Sequence, residues 1–338
     1  MIIDLRSDTV TKPCKAMLEA MMSAPVGDDV FAEDPTIIQL EQKTAHLFGK
    51  QAGLFCPSGT MTNQIAIKCH TQPTDELICD AHSHIYNYEA GGIAFNSGVQ
   101  AKLIQGDRGR INAQQIEEQI NPEYDWLTRT TLVCLENTVN RAGGSIYQLK
   151  EIKKINQLCS THQLKLHLDG ARIFNAIVES DYTAQQIGTQ FDSISVCLSK
   201  GLGAPVGSVL LGDSLFIKKA RRLRKVFGGG MRQAGILAAA GVYAIDHNIE
   251  RLKEDHSKAK QLEFELKKLS CIKTILPVET NIVIFTLQDD YKSDVFEKLM
   301  NEHHIKVSAF GKQTIRLVTH LDFTDDMLEK VTQVFKKC

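Results

Sequence analysis

The sequence has almost no net charge: 39 lysines and arginines face 40 aspartates and glutamates, leaving −1. That balance excludes the basic footprint of a nucleic-acid binder and gives no pull toward an anionic membrane surface. Long hydrophobic runs are missing too. The longest, Ile236 to Ile245, is too short to span a bilayer. The start, Met1-Ile2-Ile3-Asp4-Leu5-Arg6, has no basic stretch followed by an apolar one, so no signal peptide is expected and a cytoplasmic location is. The nine cysteines lack CxxC or any other metal-like spacing. Cys79, Cys134 and Cys197 fall inside apolar runs, where a thiol behaves as a small hydrophobe. An odd, unpatterned set fits a reducing compartment better than a disulfide framework. His82-Ser83-His84 is the nearest thing to a metal motif, but no further ligands lie beside it, and no metal is expected. Repeats and low-complexity linkers are absent. The glycines lack the strand–GxGxxG–helix context of a nucleotide-binding module.

What is present is an ordinary globular composition, 43% hydrophobic and 23% charged, in 338 residues. That length suffices for one large domain and a smaller one. Short β-rich runs recur at Ala52–Phe55, Glu76–Cys79, Gln100–Ile104, Thr131–Leu135, Lys165–Leu168, Ser193–Leu198 and Ser208–Leu211. Several are continuously apolar, as in strands covered on both faces. Helix-period segments such as Ala113–Ile120 and Leu149–His162 lie between them. The alternation predicts an α/β fold with a mostly parallel sheet wrapped by helices. The first 45 residues read as partly loop-like, closing in a helix from about Thr36 to Phe48 ended by Gly49. After Phe216 the chain turns helical, with a long amphipathic stretch from about Ile236 to Leu269. The rest, Ile272 to Cys338, reads strand, strand, helix, strand, helix. The expected division is an N-terminal arm and helix at 1–45, a large domain at 46–250 and a small α+β domain at 251–338. The basic cluster from Lys218 to Lys225 reads as a solvated helix face or a subunit contact.

In open α/β sheets, ligands bind beyond the carboxyl ends of the strands. Three runs here end in polar groups: Glu136-Asn137, Asp169, and Ser199-Lys200 followed by Gly201-Leu202-Gly203. If the strands are parallel, these groups converge on one edge. A lysine there can turn to solvent, or pair with Asp169 as a plain ion pair. Desolvated at the mouth of a sheet, it can instead lose its proton and serve as a Schiff-base amine. Pyridoxal phosphate requires such a pair, an amine for its aldehyde and a carboxylate for its pyridine nitrogen. Gly170 and Ala171 leave room beside a ring, and Arg172 could reach a phenolate oxygen or a substrate carboxylate. Ser58-Gly59-Thr60 opens a helical segment, where backbone N–H groups and hydroxyls favour an anion, although such residues also simply cap helices. Ser199 could add a donor. His84, on a loop after a strand, could stack on a pyridine ring or merely face solvent.

The same residues belong to a longer pattern. It runs from Asp4-Leu5-Arg6-Ser7-Asp8-Thr9-Val10-Thr11 and Pro25-Val26-Gly27-Asp28-Asp29-Val30 through His84 and Glu89-Ala90-Gly91-Gly92 to Leu135-Glu136-Asn137-Thr138. It continues in His167-Leu168-Asp169-Gly170-Ala171-Arg172-Ile173-Phe174-Asn175 and Leu198-Ser199-Lys200-Gly201-Leu202-Gly203. It closes in Gly228-Gly229-Gly230-Met231-Arg232-Gln233 and Ile315-Arg316-Leu317-Val318-Thr319-His320. In this order, nearly end to end, the blocks resemble the low-specificity L-threonine aldolases, pyridoxal-phosphate enzymes of the aspartate-aminotransferase fold. The resemblance implies retro-aldol cleavage of L-threonine or L-allo-threonine to glycine and acetaldehyde. It makes Lys200 the Schiff-base lysine, Asp169 the pyridine-nitrogen partner and His84 the stacking histidine. Arg172 falls near the phenolate oxygen, Ser7 and Arg316 on the substrate carboxylate, and Ser58, Gly59, Thr60 and Ser199 on the phosphate. Arg232 resembles an arginine near the phosphate across a subunit interface, in a homotetramer of dimers. Against that pattern, a substrate-facing histidine of many relatives is replaced by Trp126, a second histidine by Val139 and a loop tyrosine by Phe31. Another lyase or racemase reaction on the same scaffold, or a non-catalytic homologue, is the alternative.

Overall fold

The computed structural model describes residues 2–337. All seven predicted strands form and join one seven-stranded sheet. Its order is Ala52–Cys56, Ser208–Gly212, Ser193–Cys197, Lys165–Gly170, Arg129–Glu136, Asp75–Asp80, Gln100–Ile104. Ser208–Gly212 runs antiparallel to both of its neighbours, and the other pairs are parallel. Every residue of Asp75–Asp80, Ser193–Cys197 and Ser208–Gly212 is buried, so helices must cover both faces. Each fully buried Val, Leu or Ile there contributes roughly 1.5–3 kcal/mol. The expected α/β architecture follows from that requirement.

Helix ends are set locally. Asp34 accepts hydrogen bonds from the Thr36 and Ile37 amides, Pro35 opens the helix, and Pro35–Leu47 then gives way to Gly49 at φ +64°. Ser58 caps Gly59–His70 by accepting from the Met61 amide. Two readings change. Lys15–Met22, in the segment read as loop-like, is a helix; Met17 is its one buried residue, too thin a stripe to read from sequence. The helical stretch after Ile236 is two helices, Gly235–His247 and Leu252–Leu266. The break falls at Asn248, whose side chain donates to the Leu202 carbonyl and so anchors the joint on the loop that carries Lys200.

The C-terminal part forms a four-stranded antiparallel sheet, Ser308–Ala309, Thr314–Val318, Ile282–Leu287, Ile272–Ile275. A second core of Leu262, Phe285, Phe296, Leu317 and Phe335 lies against it. Ile3 and Leu5 are buried in that same core, and Ile3–Asp4 pairs in parallel with Ile305–Lys306. The chain's first residues are thus packed with its last. From there, Arg6 to Thr11 cross to the edge of the large sheet.

Candidate active site

Parallel register brings the predicted strand ends together. Glu136 lies opposite Asp169, and Asp169 opposite Ser195, five residues before Lys200 in the next strand and loop. Lys200 is half-buried at the start of a tight turn in which the Gly203 amide donates to its carbonyl at 2.8 Å. Its charge acts on two buried neighbours, Cys197 and Asp8. Burial would raise the Cys197 thiol, but Lys200 together with the hydrogen bonds of Ser199 and Ser208 outweighs it and the thiol is lowered. Ser199 Oγ stands 3.5 Å from that sulfur.

Asp169 is buried and organised by a residue the sequence did not single out. Asn63 Nδ2 donates to Asp169 Oδ2 and to Glu89 Oε1, both at 2.9 Å. The direction of this amide is fixed from behind: its Oδ1 lies 3.1 Å from His167 Nε2, which must therefore carry the proton. His167 Nδ1 then accepts from Ser193 Oγ, which also meets His70 Nε2, both at 2.8 Å. Burial holds both imidazoles neutral, His167 at about 4 and His70 at about 3. Each ring so has one N–H, and the relay points its donors at the two carboxylates.

His84 completes the cluster, its Nδ1 3.1 Å from Glu89 Oε1. Burial alone would lower this histidine, but the Glu89 hydrogen bond and the charges of Asp169, Glu89 and Glu136 raise it. Ligand atoms of His84, Glu89 and Asp169 lie within 4.8 Å of one another. Glu136 accepts from the His84 amide at 2.7 Å and the Asn140 amide at 2.9 Å. Burial, then the nearby Asp169 charge, pushes Glu136 up to about 7.

On the substrate side, Arg172 is gripped by Asp8, Nε to Oδ2 at 2.8 Å and Nη2 to Oδ1 at 2.6 Å. Asn281 also donates to Asp8 at 3.3 Å. Arg316 Nη1 donates to Asn140 Oδ1 at 2.9 Å and Nη2 to the Arg6 carbonyl at 2.8 Å. Its Nε is buried without a partner. Burial, then the charges of Arg172 and other neighbours, draws Arg316 down to about 10, a cation short of an anion. Ser7 caps the short turn Asp8–Val10 beside Arg6.

At the other end, the helix Gly59–His70 offers the N–H groups of its first turn, with Ser58 and Thr60 hydroxyls beside them. Ser208, whose hydroxyl is buried beside the Cys197 thiol, would sit with its Oγ 3.5 Å from a Cβ at Gly59. The glycine loop before Arg232 packs on this helix start, since a Cβ on Gly229 would meet Met61 Sδ at 2.2 Å. Arg232 itself pairs with Asp28 at 2.9 Å and makes no bond to Lys200, Asp169 or Ser58. Orphaned donors at both ends, with an amine and a carboxylate between, fit pyridoxal phosphate, whose phosphate would lie at Ser58–Thr60 and Ser199, its aldehyde at Lys200 and its pyridine nitrogen at Asp169.

Trp126 does not join this group. It precedes the amino end of Arg129–Glu136, stacked on Tyr124 at 4.8 Å, while the site lies at the carboxyl end. Eight strand residues put roughly 25 Å between them. Val139 is buried in the main core, and Phe31 is 68% exposed. Asn63, His167, Asp8 and Glu136 had no assigned role in the sequence; a buried polar residue on a helix or strand gives no sign of its partner.

Residues 4–290 match the family described as β-eliminating lyases. The fold and donor set are those of a pyridoxal-phosphate-dependent lyase. A low specificity L-threonine aldolase of Escherichia coli (strain K12) is 41% identical, over 98% of this chain and 97% of that protein. Its counterpart in Saccharomyces cerevisiae is 39% identical, over 97% of this chain and 84% of that protein. The solved threonine aldolase of Leishmania major shares the fold at a TM-score of 0.86 and 22% identity, over 99% of each chain. The chain belongs to the β-eliminating lyase family, among its low-specificity L-threonine aldolases. No helix among the described residues is long and apolar enough to cross a membrane.

Proposed function

We propose that this enzyme cleaves L-threonine, L-allo-threonine and related β-hydroxy-α-amino acids between Cα and Cβ, giving glycine and an aldehyde. The observation that carries the reading is Arg316, whose buried Nε has no hydrogen-bond partner and which lies near Arg172 and Asp8, while Asp169 pairs with Ser195 on the strand that leads to Lys200. When bound, pyridoxal phosphate supplies an electron sink for the bond broken at Cα. Lys200 would hold the cofactor's aldehyde carbon. Asp169, fixed by Asn63, would face the pyridine nitrogen and favour its protonated form. Arg316 and Ser7 bind the substrate carboxylate, a planar fork suiting it to that task. This grip sets which Cα bond is presented for cleavage, and such orientation can supply about 7–11 kcal/mol at its limit. His84 Nε2, with no hydrogen bond among the described residues, takes the β-hydroxyl proton, directly or through water. Glu89 on Nδ1 stabilises the imidazolium so formed.

The assembly we infer is a homotetramer of dimers, with Arg232 and the loops at 25–35 and 228–230 reaching a neighbour's site. The described cysteines are all free, which fits a reducing cytoplasm, and threonine breakdown would there serve glycine formation. The decisive experiment adds threonine and allo-threonine separately to purified enzyme and measures acetaldehyde, with serine and tyrosine assayed for pyruvate and ammonia. Acetaldehyde should form, and Lys200→Ala should abolish both its release and the cofactor's lysine-bound absorbance. Pyruvate without acetaldehyde, or full activity in the variant, would overturn the reading.

A further inference from the structure

Three arginines border the substrate side of the site, and one of them has neither an acidic partner nor a task in the reaction just described. Arg172 is neutralised by Asp8. Arg316 has only neutral partners, Asn140 and the Arg6 carbonyl, and awaits the α-carboxylate. Arg141, in the turn Asn140–Ala142 that follows the Glu136 strand end, makes no hydrogen bond or ion pair among the described residues. Its guanidinium is held by aromatic faces alone, 4.4 Å from the Phe310 centroid and 5.7 Å from that of Tyr88. Phe310 also carries Arg316 at 4.4 Å, so two guanidiniums share one ring. The Tyr88 ring in turn lies 5.6 Å from His84.

This placement has a direction. Arg141 stands between the arginine that takes the α-carboxylate and the histidine that faces the β-hydroxyl. Stacking leaves the edge donors of a guanidinium free, and they suit a carboxylate fork. Like charge beside Arg316 is unfavourable until an anion arrives, and Arg141 is among the charges that lower Arg316. One α-carboxylate satisfies only one of the two cations.

We propose that Arg141 forms a second anion subsite, and that the enzyme accepts β-hydroxy-α-amino acids bearing a carboxylate on Cβ. The inference rests on the aldol reading above. With 3-hydroxyaspartate the Cα–Cβ bond breaks and leaves its electron pair on Cα. The hydroxyl loses its proton as its oxygen becomes an aldehyde carbonyl, and Cα takes up a proton. The products are glycine and glyoxylate.

The test compares L-aspartate with L-asparagine, which has the same shape without the charge, as ligands of the holoenzyme competing with threonine. A charge-assisted hydrogen bond predicts that L-aspartate binds about tenfold or more tightly than L-asparagine. In Arg141→Gln that ratio should fall to about one and glyoxylate release from 3-hydroxyaspartate should drop about tenfold, with threonine kcat/KM kept within about twofold. A ratio near one in the unmodified enzyme, or a ratio unchanged in Arg141→Gln, overturns the subsite. Should that variant not fold, the unmodified enzyme's ratio, and its decline with added salt, decides alone. If threonine yields no acetaldehyde, direct titration of the two ligands still reads the subsite, so the two failures are distinct.

Discussion

A carboxylate buried as deeply as Asp8 needs a full partner, and Arg172 supplies one through two hydrogen bonds. Burial would raise the Asp8 carboxyl, but Arg172, helped by Lys200 and Asn281, holds it down at about 2. The folded value lies below the unfolded one near 4, so the pair stabilises fully above about pH 4. That contribution, about 2 kcal/mol, is lost as pH falls toward 2. Asp8→Asn leaves Arg172 charged, buried and unpaired, and should cost about 3–5 kcal/mol at neutral pH. Denaturant unfolding from pH 3 to pH 7 checks both statements. A neutral-pH loss below about 1 kcal/mol, or a difference from the parent that stays constant through pH 3, would refute the pairing.

Among elements, the helix Gly59–His70 serves the site at two points. Its first turn is the proposed anion cradle, and one turn further on Asn63 reaches the two carboxylates. Ser58 caps this helix, its Oγ accepting from the Met61 amide at 3.2 Å, at the same turn that is proposed to hold the phosphate. Ser58→Ala should destabilise the protein by about 1 kcal/mol. It should also weaken retention of cofactor during dialysis, with Lys200 chemistry intact once cofactor is in excess. Thermal unfolding with and without cofactor separates these effects, and equal losses in both states would show that Ser58 is only a cap. The strand and cap residues of this segment could be read from sequence, since alternation and capping are local. The role of Asn63 could not, because its partners are brought to it from two other segments, Glu89 from a loop and His167 and Asp169 from one strand.

For the whole molecule, the first residues bind the halves together. Ile3 and Leu5 are buried in the C-terminal core, the Leu5 carbonyl accepts from Val318 at 2.9 Å, and three residues later Asp8 grips Arg172. Other surfaces remain open: Phe31 is 68% exposed and Val226 75%, beside the segments expected to meet a neighbouring subunit. If those segments complete the site, dilution to dissociation should abolish activity in step with the fall in mass seen by light scattering. An active monomer would refute shared sites. Trp126 bears on the same question. The sequence pattern sets it against the substrate, yet in its own chain it lies at the wrong end of the strand.

The sequence by itself determined the sheet, because continuous apolar runs separated by helical segments have few other ways to bury both faces. It also marked Lys200, Asp169 and the Ser58–Thr60 turn as candidates, because a strand end and a helix start are local patterns. Only the tertiary structure decided that Arg172 is held by Asp8, that Asn63 and His167 aim Asp169, and that Arg141 shares a ring with Arg316. The physical reason is range. Strand pattern and capping depend on neighbours a few residues away, whereas charge pairing inside a site joins segments up to hundreds of residues apart. Lys200 could thus be picked out as a candidate from its own segment, but the groups that set its surroundings could not.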